Sequence, residues 1–291
     1  YDQHAAESED TPWREKNMKR YSFRLKFSAG LLAVILLSGL FAPLLAPYDP
    51  NAIDMSVKLQ GFSAEHLLGT DALGRDMLSR VLYGGRTSIL LALTATVCSM
   101  AFGALLGILG GYFGGFLDMA ITAAANIFQG IPGTCLMVAV AGILGPGIPN
   151  LLLVLFLTSW AGFSRIVRTE TLRIREEPYI EGLRSLGANP FCILWKHIFP
   201  NMLPNIIVLF TTRVGRCVLS IASLSYLGLG IRPPVPDWSV MISDARLDYR
   251  SAPHLLIVPG LCIFLLLLSL NLLGDALRDH FDVRSREVKE F

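Results

Sequence analysis

Charge is what this sequence has least of. Only 16% of its 291 residues are Asp, Glu, Lys or Arg, against about 25% in a soluble domain. Lys and Arg number 25 and Asp and Glu 23, which leaves a net charge of +2. That balance cannot supply the concentrated basic face of an electrostatic nucleic-acid binder. A nearly neutral chain that is 53% hydrophobic is also the opposite of a disordered one. Five cysteines (98, 135, 192, 217 and 262) show no Cys-x-x-Cys or Cys/His ligand spacing. They read as buried free thiols, so neither a disulfide framework nor a metal site is expected. Catalytic signatures are missing as well. There is no Gly-x-x-x-x-Gly-Lys-Ser/Thr to cradle ATP phosphates, no His-Glu-x-x-His and no Gly-x-Ser-x-Gly.

What is present is a set of long apolar blocks. Residues 27–46, 88–109, 119–142 and 255–274 carry no charge, 148–167 carries only Arg165, and 204–228 carries two arginines. A helix needs about 20 apolar residues to cross ~30 Å of hydrocarbon, and all six blocks reach that length. Six buried core helices of a soluble protein are the alternative. Such helices rarely run this far without a polar face. The expected fold is an all-α membrane protein with six transmembrane helices. The first block follows a charged tail without a clear cleavage site, so no signal peptide is expected.

Positive charge orients the spans. The tail 1–26, the segment after the fourth span and the tail after the sixth together hold sixteen Lys and Arg, against seven in the segments between. Lys/Arg-rich loops stay inside, which puts both termini and the loop 168–203 in the cytoplasm. The expected division is a tail 1–26, a first span 27–46, an external segment 47–87, a five-helix core 88–275 and a tail 276–291. The core holds the cytoplasmic loop 168–203 and the external loop 229–254. Within the external segment, residues 75–83 have a helical apolar face and are expected to lie at the membrane surface. Trp13, Trp160, Trp195 and Trp238 suit interfacial anchoring.

The loop 168–203 is long and amphipathic. Ile180, Leu183 and Leu186 recur at three-residue steps with Glu181, Arg184 and Ser185 between them. A short helix is expected there, ending at Gly187, where glycine can take the left-handed cap. Pro190 suits the first turn of a second helix. Two short helices at a fixed angle make a knob, and a knob needs a grooved partner. A plain connecting loop is the alternative.

The order Glu181, Gly187 six residues later, then His197-Ile198-Phe199-Pro200 resembles the cytoplasmic coupling motif of ATP-binding-cassette importer permeases. The family form is Glu-Ala-Ala, three residues, Gly, nine residues, then four ending in Pro. Gly182 and Leu183 stand where the family has alanines. The run from His66 to Arg80 containing Gly69-Thr70-Asp71-Ala72-Leu73-Gly74-Arg75-Asp76 is similar to the external segment of the second permease subunit of peptide/nickel importers. So are Gly111-Tyr112-Phe113-Gly114-Gly115, Ser225-Tyr226-Leu227-Gly228-Leu229-Gly230, Pro233-Pro234 with Asp237-Trp238, and Asn271 to Asp279. The resemblance spans about 27–284 and implies a type I importer permease fold, with an extra N-terminal helix before a five-helix core. It implies a homologous second permease, two cytoplasmic ATP-binding subunits that hold ATP and Mg, and an external substrate-binding protein. No cofactor and no catalytic residue are expected on this chain. Glu181, Gly182, Leu183, Arg184, Leu186, Gly187, Ala188 and Pro190 are the expected coupling residues.

Two charges remain inside the membrane. Arg213 and Arg216 sit mid-span, three residues apart on one face that Ser220 and Ser223 continue. Mid-membrane charges usually face protein or water. A polar stripe along the translocation path is one reading, and structural pairing with a neighbouring subunit is the other. Asn126 stands where the family commonly has an acid and can still hydrogen-bond across helices. The spans hold no His, Asp or Glu, so an intramembrane enzyme or ion-coupled carrier acting alone lacks its usual groups. The expected function is the permease subunit of an ATP-driven importer of di- or oligopeptides, including glutathione-like ones, in a bacterial or archaeal cytoplasmic membrane. A nickel or metal-chelate importer is the nearest alternative.

Overall fold

The computed structural model describes the backbone of residues 11–287 and the side chains of 24–281. The outermost parts of both expected tails, and Trp13, lie outside the described side chains. The described chain is helical without strands, apart from a lone bridge between Thr70 and Asp76. In chain order the helices are α1 (Thr11–Leu40), α2 (Ala42–Leu45), α3 (Met77–Phe113), α4 (Gly115–Gly130), α5 (Gly133–Leu144) and α6 (Ile148–Arg175). Then come α7 (Pro178–Ser185), α8 (Pro190–Ile193), a π-helical turn Leu194–Ile198, α9 (Phe199–Tyr226), α10 (Trp238–Asp244) and α11 (His254–Glu287).

Among the described residues, four helices are long and apolar enough to cross a membrane: α3, α6, the run Pro190–Tyr226 and α11. The block 119–142 departs from the single straight span expected of it. It forms α4 and α5, bent by 85° at a short break. Ile131 precedes Pro132 and takes extended backbone (φ −92°, ψ 129°), as the clash with a following proline ring dictates. The first expected span lies on α1 and α2, and α1 packs against α11 and α3.

Two expected boundaries also shift. The helix over 75–83 is no separate surface element, because α3 runs unbroken from Met77 to Phe113. At 1.5 Å per residue its 37 residues extend about 55 Å, well beyond the ~30 Å hydrocarbon layer. The last span likewise continues through Asp275, Arg278 and Asp279 to Glu287, so no helix end separates core from tail at 275.

Among the described residues the most extensive helix pairing joins α3 to α6. Gly103, Gly107 and Gly111 recur every four residues along one α3 face. A Cβ on Gly103 would lie 2.6 Å from the Trp160 carbonyl, and one on Gly111 would lie 2.8 Å from Thr171 Cβ. Only glycine lets the two backbones meet at this distance, the usual way membrane helices gain packing contact. Trp160 lies in this seam region at 6% exposure, against the expectation that it anchors at an interface. The thiols also depart from expectation, since Cys98 and Cys135 are exposed and the other three are partly so.

Candidate functional site

Three constructions carry the chemistry. The first is the knob at 176–198. Glu177, which precedes Pro178, is extended, and α7 starts with that proline in its first turn. α7 ends as the glycine predicts. Gly187 has φ +75°, its N–H donates to the Arg184 carbonyl at 2.9 Å, and the Ala188 N–H donates to the Leu183 carbonyl at 3.0 Å. These bonds satisfy carbonyls that a helix end leaves orphaned. Asn189 then caps α8, its Oδ1 accepting from the Phe191 N–H at 2.9 Å, and Pro190 occupies the first turn.

The knob is anchored by one apolar core. Ile180, Ile193, Ile198 and Met202 are fully buried and pack with Tyr112, Val167, Ile174 and Leu194. Arg184 lies over the Tyr112 ring at 5.1 Å, and Arg175 Nη1 donates to the Gly111 carbonyl at 2.9 Å at the end of α3. Arg168 grips Asp118 with two bonds, Nη2 to Oδ2 at 2.6 Å and Nε to Oδ1.

What the knob leaves outward differs from the expected apolar stripe. Ile180 is buried and Leu183 half-buried, but Leu186 is 85% exposed. Each three-residue step falls about 60° short of a full turn, so two steps carry Leu186 off the face that Ile180 occupies. Phe191 and Trp195 are exposed beside it in sequence. Glu181, Gly182, Gly187 and Pro190 are exposed and Ala188 is half-buried. The Glu181 carboxylate bonds to no described residue; only its carbonyl accepts, from Ser185 Oγ at 3.1 Å. It therefore pins nothing among the described residues.

The second construction is a cavity of about 170 Å³ between α3, α5, α6 and α9, lined by Thr96, Thr158, Ser159, Arg213, Arg216 and Ser220 among others. Arg213 lies over the Phe163 ring at 5.2 Å. Its guanidinium also rests on Gly162, where a Cβ would sit 3.5 Å from Nη2. Ser220 Oγ donates back to the Arg216 carbonyl at 3.1 Å. Ser223 is exposed, bonds to the Leu219 carbonyl and does not line this cavity. Asn126 is also outside it. Its Oδ1 accepts from Arg165 Nη2 at 3.2 Å, and Gln129 Oε1 accepts from Nη1 at 3.3 Å. The fold thus brings Arg165, the one charge in the block 148–167, against two amides of α4.

The third construction, at the opposite end of α3, is a clamp that sequence reasoning missed. Asp71 Oδ1 accepts from the Leu73 and Arg75 N–H groups, and Oδ2 from Arg75 Nε at 2.6 Å. Arg80, 2% exposed, reaches the Pro50 carbonyl at 3.2 Å and Asp71 at 3.5 Å. Asp76 caps α3 through Ser79 and meets His66 Nδ1 at 3.0 Å. On the other loop, Asp237 Oδ2 accepts from Ser88 Oγ at 2.6 Å, and Oδ1 accepts from the Ser239 N–H at 2.8 Å. Trp238 is buried against Gly84 and Gly85, with its Nε1 donating to the Val81 carbonyl at 2.8 Å. It is therefore a packing residue rather than an interfacial anchor. Burial pushes the Asp237 carboxyl up from its ordinary pKa, with the Ser88 hydroxyl opposing. Burial does the same to Asp244, opposed by Arg75 and Arg80. Buried charges need this density of partners to be tolerated. The His66–Arg80 run, the adjacent Gly84-Gly85 and the Asp237-Trp238 pair were local hints to it.

The family described as binding-protein-dependent transport system inner membrane component matches residues 103–287. The glutathione transport system permease protein GsiD of Pectobacterium atrosepticum is 41% identical over 274 residues, covering 94% of this chain and 91% of that one. GsiD of Escherichia coli O6:K15:H31 is 40% identical over the same length, covering 94% and 90%. Among solved structures, an inward-facing MetNI methionine ABC transporter matches with TM-score 0.53 at 19% identity, covering 69% of this chain and 97% of that one. An amino acid ABC transporter solved with histidines matches with TM-score 0.55 at 15% identity, covering 69% and 94%. These two establish the type I importer permease fold.

Proposed function

The chain belongs to the binding-protein-dependent transport system inner membrane component family, and from that premise we propose that it is one of two homologous permease subunits of an ATP-driven importer of small peptides, glutathione-like ones among them. The likeness to GsiD proteins over 94% of the chain supports the substrate class. The observation that carries the mechanism is the knob: rigidly seated on α3, α6 and α9, yet with Leu186, Phe191 and Trp195 turned out of its own core.

In this reading the Lys/Arg-rich knob end faces the cytoplasm, and a cytoplasmic ATPase covers the exposed residues. Burying one leucine contributes about 1.5–3 kcal/mol, so three large apolar side chains suffice to hold a partner groove. Glu181, Gly182, Leu183, Arg184, Leu186, Gly187, Ala188 and Pro190 form or shape that contact. ATP and Mg are held by the two partner ATPases, and no cofactor by this chain. When the ATPases close, the knob moves with them. Its shared core with α6 and α9 carries the motion to the cavity lined by Arg213, Arg216 and Ser220. The cavity then opens alternately to the external binding protein and to the cytoplasm, with Ser223 and Asn126 flanking the path.

The test is Leu186→Asp in the complete complex. The expected result is loss of bound ATPase and of peptide-stimulated ATP hydrolysis, with the melting temperature of the permease pair unchanged. Full ATPase retention and stimulation would sink the coupling reading. Peptide uptake by the chain alone, without ATP, would sink the importer reading as well.

A further inference from the structure

The cavity is lined by two arginines and by no acid. Neither the Arg213 nor the Arg216 guanidinium donates a hydrogen bond to any described residue, and no described carboxylate pairs with either. Acids elsewhere on α4 and α6 are already engaged, Asp118 by Arg168 and Glu170 by Arg173. Arg213 is held only by the Phe163 face and the space that Gly162 leaves. One turn further along α6 from Gly162 stands Arg165, oriented by the neutral amide oxygens of Asn126 and Gln129, which leave its charge uncancelled.

We propose that these residues form a carboxylate track, Arg216 to Arg213 to Arg165, by which the permease itself selects substrates bearing a free carboxylate. The proposal rests on the peptide-importer reading above and deepens it by naming the recognised group and the residues that take it in turn. The order follows from the helices. α9 runs from the knob end toward the clamp end and α6 runs the opposite way. Arg216 is therefore nearer the clamp by about 4.5 Å of helix rise, and Arg165 nearer the knob than Gly162 by the same amount. A guanidinium presents a planar fork that a carboxylate fills with two charge-assisted bonds. Bonds left unmade by Arg213 and Arg216 are open to a passing anion, whereas Arg165, outside the cavity lining, already gives two donors to Asn126 and Gln129 and offers the remainder. Successive sites of like charge let the anion leave each one, since none of them is closed by a fixed counter-charge. The same field repels a bare divalent cation, which argues against free metal ions as cargo.

The experiment uses the assembled complex in proteoliposomes, with the binding protein confirmed by calorimetry to be loaded. The probes are one tripeptide as the free acid and as its C-terminal amide. Uptake is expressed per assembled complex. The wild type is expected to import the acid at least about tenfold faster than the amide. Arg216→Gln and Arg213→Gln should each lower acid uptake by about tenfold and bring the acid-to-amide ratio close to one, and Arg216→Lys should recover part of that ratio. Equal losses for acid and amide would overturn the proposal. So would reduced complex assembly with unchanged uptake per complex, the signature of arginines that pair with the second permease. A wild-type complex that imports no peptide would instead overturn the parent reading, and would be recognised before any variant is compared.

Discussion

Gly107 offers the sharpest stability prediction. A Cβ built there would lie 2.6 Å from the Ser164 carbonyl oxygen, 2.9 Å from Val167 Cβ and 3.0 Å from the Arg168 nitrogen, whereas ordinary contact begins at 3.4 Å. Two of these atoms are α6 backbone, so no side chain can swing aside. Gly107→Ala must therefore part the helices by roughly 0.5–1 Å or tilt them, at an overpacking cost of about 1–3 kcal/mol. Alanine also favours helix over glycine by about 1 kcal/mol, which would mask part of that cost. Gly142→Ala and Gly260→Ala provide the correction. Both sit in helices, and an added Cβ meets nothing within 4 Å, so they receive the propensity gain alone. The assay is thermal unfolding of the purified complex. Gly107→Ala should melt below the two controls by roughly 2–10 °C, and Gly103→Ala should behave alike. If Gly107→Ala melts with the controls, the α3–α6 seam is looser than described and the argument from glycine spacing fails.

Three further expectations concern the clamp and the knob. The Asp237 carboxyl is pushed up by burial, so the folded state binds its proton more tightly than the unfolded state does. Stability from this group is therefore present at low pH and is lost as pH rises through the folded pKa. Asp237→Asn keeps a cap acceptor without the charge, so its melting temperature relative to wild type should be higher at neutral pH than below the ordinary carboxyl pKa of 3.8; the reverse trend would contradict the burial argument. Gly187→Ala forces a side chain into φ +75°, a strain of about 1–2 kcal/mol, and should reduce peptide uptake per ATP hydrolysed. Gly182→Ala, in open space at ordinary φ, should stabilise α7 by up to about 1 kcal/mol, read as a higher melting temperature of the isolated permease pair.

Much of the fold was legible because hydrocarbon imposes so plain a requirement on sequence. Runs of twenty apolar residues announce α3, α6, α9 and α11 without any tertiary information, and Gly187 announces its own cap. The break between α4 and α5 was also written locally, as Gly130-Ile131-Pro132-Gly133. An apolar count is blind to it, since those residues are as uncharged as their neighbours. Leu186 leaves the face that Ile180 occupies because the angular drift of three-residue steps accumulates. The clamp was out of reach for a different reason. Ser88 and Asp237 are 149 residues apart, and no periodicity within either segment refers to the other. The same holds for Arg165 and Asn126, 39 positions apart.

The glycine seam has a mechanical consequence. With Gly103, Gly107 and Gly111 meshed against α6, the two longest-packed helices have no slip plane between them. A push delivered at the knob end cannot dissipate as one helix sliding past the other, and both must pivot together like a single beam. Compliance is then left to the joints at either side of the beam, the Ile131-Pro132 elbow and the π-helical turn at 194–198. Under the coupling mechanism proposed above, stiffening either joint should shorten the movement that reaches the cavity without altering the exposed surface of the knob.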